Sequence, residues 1–255
     1  MATEALSASK PLSPRPQYRP VNRTVERIFF VFMAVLLCAV VYVGFSPTYF
    51  GAGFVKAPLP TPILHVHGAI FTLWMLLFVI QTALISARRV AWHRSFGIIS
   101  FLLPPIMIVL GVVAAINALH RGVRIGPLDP ETSLAIPLLG IAWFTVIIYY
   151  AWQTRRRPDA HKRLILLSTV ALTDAALGRF PWNRVGLAPG AGAVVGLGIL
   201  ILLVLAYDLI ALRRIHRTNL WAAPLTFLVG ASAVPIGMTA PWHAFADALN
   251  RTIGF

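Results

Sequence analysis

The chain contains 255 residues, of which 58% are apolar or aromatic and only 12% are charged. This composition excludes an ordinary water-soluble domain and requires lipid as the solvent for most of the chain. A formal net charge of +14 does not indicate nucleic-acid binding, because the basic residues are spread through short loops and form no continuous basic stripe. The single cysteine, Cys38, excludes a disulfide framework and the C-x-x-C-H attachment of a c-type haem.

Seven apolar stretches reach the roughly 20 residues that a membrane-spanning helix needs. In chain order they are residues 27–46, 62–87, 93–118, 133–153, 161–180, 190–212 and 219–239. Before them, the Pro- and Ser-rich residues 1–26 are predicted to form a disordered cytoplasmic tail. After them, residues 241–255 carry apolar side chains at helical spacing, which predicts an amphipathic helix in the outer interface. The expected fold is all-α, a polytopic bundle of seven transmembrane helices within residues 27–240.

The distribution of basic residues predicts the orientation of this bundle. Sixteen of the 22 Lys and Arg residues fall in the N-terminal tail and in alternate loops after it, and six fall in the other loops. Because basic residues are enriched in cytoplasmic loops, we expect the N-terminus in the cytoplasm and the C-terminus on the far side. We therefore expect a multi-pass protein of the bacterial inner membrane, with anionic lipid headgroups as partners of its cytoplasmic loops.

Ionisable residues at membrane depth tend to face the bundle interior, in pairs or functional sites. On the outer side these are His65, His67, His120, Asp174 and Arg179. His65 and His67 lie about 200° apart around one helix, so they cannot both ligate one ion without distortion. We favour His67 as the inward residue, because Gly68 beside it leaves room for a macrocycle or another backbone. Asp174 then orients a ligating imidazole by accepting its hydrogen bond, or is itself a metal ligand, or forms polar contacts between helices.

On the inner side, His93 and His161 begin the third and fifth predicted helices, with Gln81 and Asp208 at a similar depth. A histidine in the first turn of a helix lies at the positive end of the helix dipole, which favours a neutral imidazole able to ligate a metal. The alternative is that these histidines and the adjacent basic residues meet lipid phosphates at the headgroup level.

The absence of other motifs narrows the function. The sequence contains no phosphate-binding glycine loop, no H-E-x-x-H and no G-x-S-x-G, which argues against nucleotide-driven chemistry and common hydrolase mechanisms. The last predicted span has no lysine for a retinal Schiff base and no H-x-x-x-H of the seven-helix zinc hydrolases.

Several motifs together resemble, over nearly the whole chain, a family of uncharacterised bacterial seven-helix membrane proteins. These are H-x-H-G (His65, His67, Gly68), Trp74 with Gln81, H-R-x-x-G (His93, Arg94, Gly97), H-K-R-L (His161 to Leu164) and Tyr207-Asp208. The chain is more loosely similar to cytochrome b561-type proteins. That resemblance implies histidines on neighbouring helices that hold one b-type haem near each membrane face.

Three classes of function follow from these observations. The first is a redox protein with b-type haem, in which His93 and His161 form the inner axial pair and His67, with His120, serves the outer side. The second is a zinc or copper site held by His65 or His67 with Asp174, for hydrolysis or metal handling. The third is a non-catalytic role, as an accessory subunit of a membrane complex or a lipid-binding protein.

Overall fold

The computed structural model describes residues 22–51 and 61–252. These residues form ten α-helices: α1 (Arg23–Phe45), α2 (Pro62–Ser86), α3 (Val90–Ser100), α4 (Leu103–His120), α5 (Pro130–Gln153), α6 (Pro158–Ala171), α7 (Asp174–Leu177), α8 (Pro189–Leu212), α9 (Arg217–Gly237) and α10 (Ala240–Thr252). The prediction of a helical membrane bundle is confirmed. The predicted tail lies outside the described residues as far as residue 21, and α1 begins before the predicted boundary at residue 27.

Six segments are long and apolar enough to cross a membrane. They are Arg23–Phe50, Pro62–Ser86, Val90–His120, Pro130–Gln153, Gly190–Leu212 and Arg217–Gly237. The third of these contains α3 and α4, which are separated by a turn at Phe101 and Leu102 just before Pro104-Pro105. The fifth predicted span, residues 161–180, is not among the six, because it is divided into α6 and the single turn of α7.

The helix α6 is the central helix of the bundle. It packs against α5, α8 and α9, and Trp74 of α2 donates an indole N–H to Thr169 Oγ1 (3.3 Å). Its residues from Leu164 to Val170 are buried apart from Ile165. A helix enclosed by protein does not face lipid, so it tolerates polar residues such as Ser168 and Thr169 that a lipid-facing helix disfavours.

Most basic residues lie at one end of the bundle, where α2, α5 and α8 end and α3, α6 and α9 begin. We call this the basic end and the other the opposite end. At the opposite end, Asp129 caps α5 by accepting hydrogen bonds from the backbone N–H (2.7 Å) and the hydroxyl (2.8 Å) of Thr132. The Thr132 N–H is the main reason why the pKa of Asp129 is lowered to about 2. The cap therefore persists at any pH well above that value.

The C-terminal helix α10 packs at the opposite end against α4 and α5. Trp242 donates its indole N–H to the Glu131 carbonyl (2.8 Å), while Trp242 and Leu249 cover a small apolar cluster around Leu134 and Ala246. The amphipathic pattern thus gives a helix that is attached to the bundle. Its location in the outer interface stays a prediction.

The helices α1 and α7 approach each other closely through a glycine. A Cβ atom at Gly44 would lie 2.5 Å from the Ala176 carbonyl oxygen and 2.8 Å from Ala176 Cα. Small residues permit such close backbone packing between membrane helices, where dispersion contacts replace the hydrophobic effect as the driving force.

Gly44→Ala should therefore separate α1 from α7 and lower the free energy of unfolding by about 1–3 kcal/mol. Gly140→Ala is the matched control, because a Cβ at Gly140 meets nothing within 4 Å and alanine favours the helix. Denaturant unfolding in mild detergent measures both variants. Equal stability of the two variants would contradict the close approach.

Candidate functional site

The basic end brings two of the predicted histidines into one region. His93 lies in the first turn of α3 and His161 in the first turn of α6, and the ring of Phe101, directly after α3, lies 6.2 Å from the His161 ring. Gln81, near the end of α2, contacts His93. Three of the residues predicted for the inner side are thus neighbours, and the hydrogen bonds of each ring determine what they can bind.

The Gln81 amide determines the tautomer of His93. With its nitrogen toward the imidazole, it donates to His93 Nδ1 (2.6 Å) and to the His93 carbonyl (3.2 Å), while its oxygen accepts from the Gly97 N–H (3.1 Å). The orientation of this amide is assigned from its hydrogen-bonding partners. In the reverse orientation the amide oxygen would face the His93 carbonyl oxygen, and two acceptors form no hydrogen bond. A ring nitrogen that accepts a hydrogen bond carries no proton, so the proton of His93 is on Nε2. In the neutral ring the N–H is therefore on Nε2, and the backbone of Gln81 is a further hydrogen-bonding neighbour of this ring.

His161 has the opposite arrangement. Its Nδ1 lies 2.9 Å from the Ala151 carbonyl oxygen, so Nδ1 carries the proton and donates it. In the neutral ring, Nε2 is then a lone pair that is able to accept a hydrogen bond or ligate a metal. Phe101 lies 6.2 Å from the His161 ring and 4.9 Å from the Trp152 ring, measured between centroids. The site therefore combines one donor, one acceptor and aromatic walls.

Asp208, the fourth residue predicted for the inner side, has a different partner. It is fully buried and pairs with Arg163, which is 1% exposed. Asp208 Oδ1 accepts from Nε (3.0 Å) and Nη2 of Arg163, and Oδ2 accepts from the His216 backbone N–H and the Asn219 amide, both at 2.8 Å. The carboxylate is fully hydrogen-bonded and ties α6, α8 and α9 together, so its role is structural.

This ion pair generates a stability prediction. Asp208→Leu leaves the Arg163 charge buried without its partner, and the free energy of unfolding should fall by about 3–5 kcal/mol. The double variant R163M/D208L removes both charges and should recover most of that loss. Denaturant unfolding in mild detergent is the measurement.

Asp159→Asn serves as the control for this prediction. Asp159 pairs with Lys162 at 2.9 Å, but its side chain is 67% exposed. A surface pair contributes less than about 1 kcal/mol, so this variant should unfold almost like the native chain. A double variant as unstable as D208L alone would show that the loss does not come from the unpaired Arg163 charge.

At the opposite end, His67 has a buried Nδ1 that no hydrogen bond satisfies within the described residues. Its ring stacks on Phe71 (4.1 Å between centroids, 26°), and the backbone of Leu110 is its hydrogen-bonding neighbour. The space beside Gly68 is filled by the Tyr49 ring, which a Cβ would meet at 3.2 Å. The room that the sequence suggested for a macrocycle is therefore occupied by an aromatic side chain.

The other residues predicted for the outer side are dispersed. The His65 ring lies 6.2 Å from the Tyr49 ring, and His120 ends α4, about 15 Å along that helix from Leu110. Arg179 donates to the Ala175 carbonyl and lies over the Phe45 ring (4.4 Å). Asp174 faces a separate cavity between α5, α8 and α9. The structure does not bring His65, His67 and Asp174 together as one ligand set.

One group of three residues with suitably spaced ligand atoms does occur among the described residues. Asp129, Glu131 and His243 each offer an atom within 4.8 Å of the others. They lie at the start of α5 and in α10, and both Asp129 oxygens are engaged by Thr132. Sequence spacing does not reveal this group, because the three residues lie outside the predicted spans and His243 is distant from the two acids in sequence.

Comparisons with family models, with curated proteins and with solved structures give no match to this chain. Its six apolar helices and its buried polar contacts define a multi-pass helical membrane protein. The function is therefore inferred from the chain's own residues.

Proposed function

We propose that this chain binds a quinone, or its quinol, from the bilayer at His93 and His161. The observation that supports this is the opposite hydrogen bonding of the two imidazoles. A quinone carbonyl needs a donor, which His93 Nε2–H supplies. The hydroxyl of the reduced form needs an acceptor, which His161 Nε2 supplies.

The surroundings of the pair suit a flat lipid-soluble ring. Phe101 and Trp152 provide aromatic surface beside His161. On α3, Trp92 and Phe96 stack at 5.8 Å and are both exposed on the surface of the bundle. Within a membrane that surface faces lipid, so a quinone would reach the site laterally without a preformed tunnel. Aromatic contacts with few polar groups are typical of small-molecule sites.

A b-type haem is the second candidate, and one observation favours it. The bond from His161 Nδ1 to a carbonyl is the arrangement that orients a ligating imidazole. A bis-histidine haem also needs a lone pair on His93 Nε2, and the bond from Gln81 places the proton there. The described geometry therefore fits a quinone better than a pair of axial histidines.

For the bundle itself, we propose seven spans, with α6 and α7 together as the fifth, and a cytoplasmic basic end. Arg88 and Arg213 support an anionic lipid partner there. Both adopt the left-handed conformation (φ 60° and 57°) after α2 and α8, where glycine is the favoured residue. An arginine at such a position adds a cationic side chain to the surface that meets lipid phosphates.

Gln81→Leu should weaken quinone binding about tenfold, because His93 loses the hydrogen bond that fixes its donor tautomer. His161→Phe should weaken binding of the quinol at least as much. The measurement is quenching of tryptophan fluorescence in nanodiscs by short-chain benzoquinone and naphthoquinone. Gln153→Leu is the matched control, since Gln153 is exposed at the end of α5.

A double-mutant cycle tests whether Gln81 acts through His93. In a His93→Phe background, Gln81→Leu should have no further effect on binding. Unchanged binding in both single variants contradicts the proposal. A Soret band with stoichiometric iron in the purified chain would replace it with the haem function. Absence of both ligands would favour the accessory or lipid-binding role.

A further inference from the structure

Asp174 is a partly buried carboxylic acid inside the bundle, nearer the opposite end than the basic end. It lines a cavity with Gly140 of α5, Leu197 of α8 and Thr226 of α9, and Gly140 and Thr226 lie near the middle of their helices. None of the hydrogen bonds or ion pairs among the described residues uses its side chain. Acidic groups at this depth are rare and are usually paired or functional.

Asp208, the fully buried acid at the basic end, has the hydrogen-bonding partners that Asp174 lacks. Asp208 is satisfied by Arg163, by Asn219 and by a backbone N–H. The nearest basic residue in sequence to Asp174 is Arg179, and it points to Phe45 and the Ala175 carbonyl instead. A carboxylate without a counter-ion or donor is unfavourable in a low-dielectric interior, whereas the neutral acid is tolerated.

The cavity offers the acid an acceptor but no donor. Trp143 donates its indole N–H to Thr226 Oγ1 (3.0 Å), and the Thr226 hydroxyl donates to the Ala222 carbonyl (2.7 Å). Both protons are thus committed, but a hydroxyl oxygen has two lone pairs and one of them is unused. The protonated acid can donate directly to that lone pair, whereas the carboxylate can only accept and finds no protein donor there.

The size of the cavity fits a single bridging water. Its volume is about 20 Å³, and a polar cavity above roughly 10–15 Å³ accommodates one water molecule. Asp174 also follows the interruption of the central helix at Leu172 and Thr173. Interrupted helices in membrane proteins often lie beside ion or proton sites.

We propose that Asp174 is a reversible proton-binding site inside the bundle, whose neutral form donates to Thr226 and whose ionised form is hydrated by one water. The ligand is a proton, and binding converts the carboxylate to the carboxylic acid without any redox change. This proposal does not rest on the quinone site, which lies at the basic end and uses other residues.

The test is pH-difference infrared spectroscopy of the full chain in lipid. The native chain should show a carboxylic C=O band at low pH that disappears as the pH rises, and Asp174→Asn should abolish it. Asp247→Asn on α10 is the matched control, because Asp247 is exposed, and it should leave the band unchanged.

A second pair of variants keeps the test decisive if D174N folds poorly. Thr226→Val removes the acceptor and should shift the band to higher frequency, while Thr226→Ser retains the hydroxyl and should leave it in place. A band that never titrates, a band insensitive to T226V, or an Asp174 carboxylate at every pH overturns the proposal. These outcomes do not depend on quinone binding, so either proposal can fail alone.

Discussion

The buried ion pair between Arg163 and Asp208 determines how α6, α8 and α9 meet at the basic end of the bundle. Two opposite charges inside a membrane protein need hydrogen-bonding partners, and Asp208 accepts from Arg163, the His216 backbone N–H and the Asn219 amide, although the Asn219 side-chain oxygen has no partner among the described residues. The pair holds the start of the central helix against the ends of α8 and α9. With α6 fixed in this way, the positions of all side chains along it are determined.

His161 and Asp174 both belong to the segment formed by α6 and α7. His161 precedes Arg163 by two residues, and Asp174 follows the interruption after α6. A lipid-facing helix could not carry them without desolvating each on an apolar surface. The low hydropathy of α6 is thus a consequence of its location, and the same location makes its polar residues accessible to the other helices.

The sequence predicts the spans well because apolar length is a local property. It does not predict that residues 161–180 form an enclosed, interrupted helix, because enclosure depends on which helices surround it. The sequence also does not predict which residues form hydrogen bonds with His93 and Asp208. Gln81 selects the tautomer of His93 across a turn, and Arg163 pairs with Asp208 over 45 residues. Residue type identifies a histidine, but only three-dimensional packing shows which nitrogen it presents.

The interruption at Leu172 and Thr173 has a mechanical consequence. A continuous helix transmits axial rotation and translation along its whole length, since each hydrogen bond couples one turn to the next. Between α6 and α7 the backbone hydrogen bonds change to the tighter i to i−3 pattern at Thr173 and Ala176, and α7 packs against α1, through the contact of Gly44 with Ala176, and against α8. The two segments are therefore held mainly by different neighbours, α6 by α5 and α9 and α7 by α1 and α8.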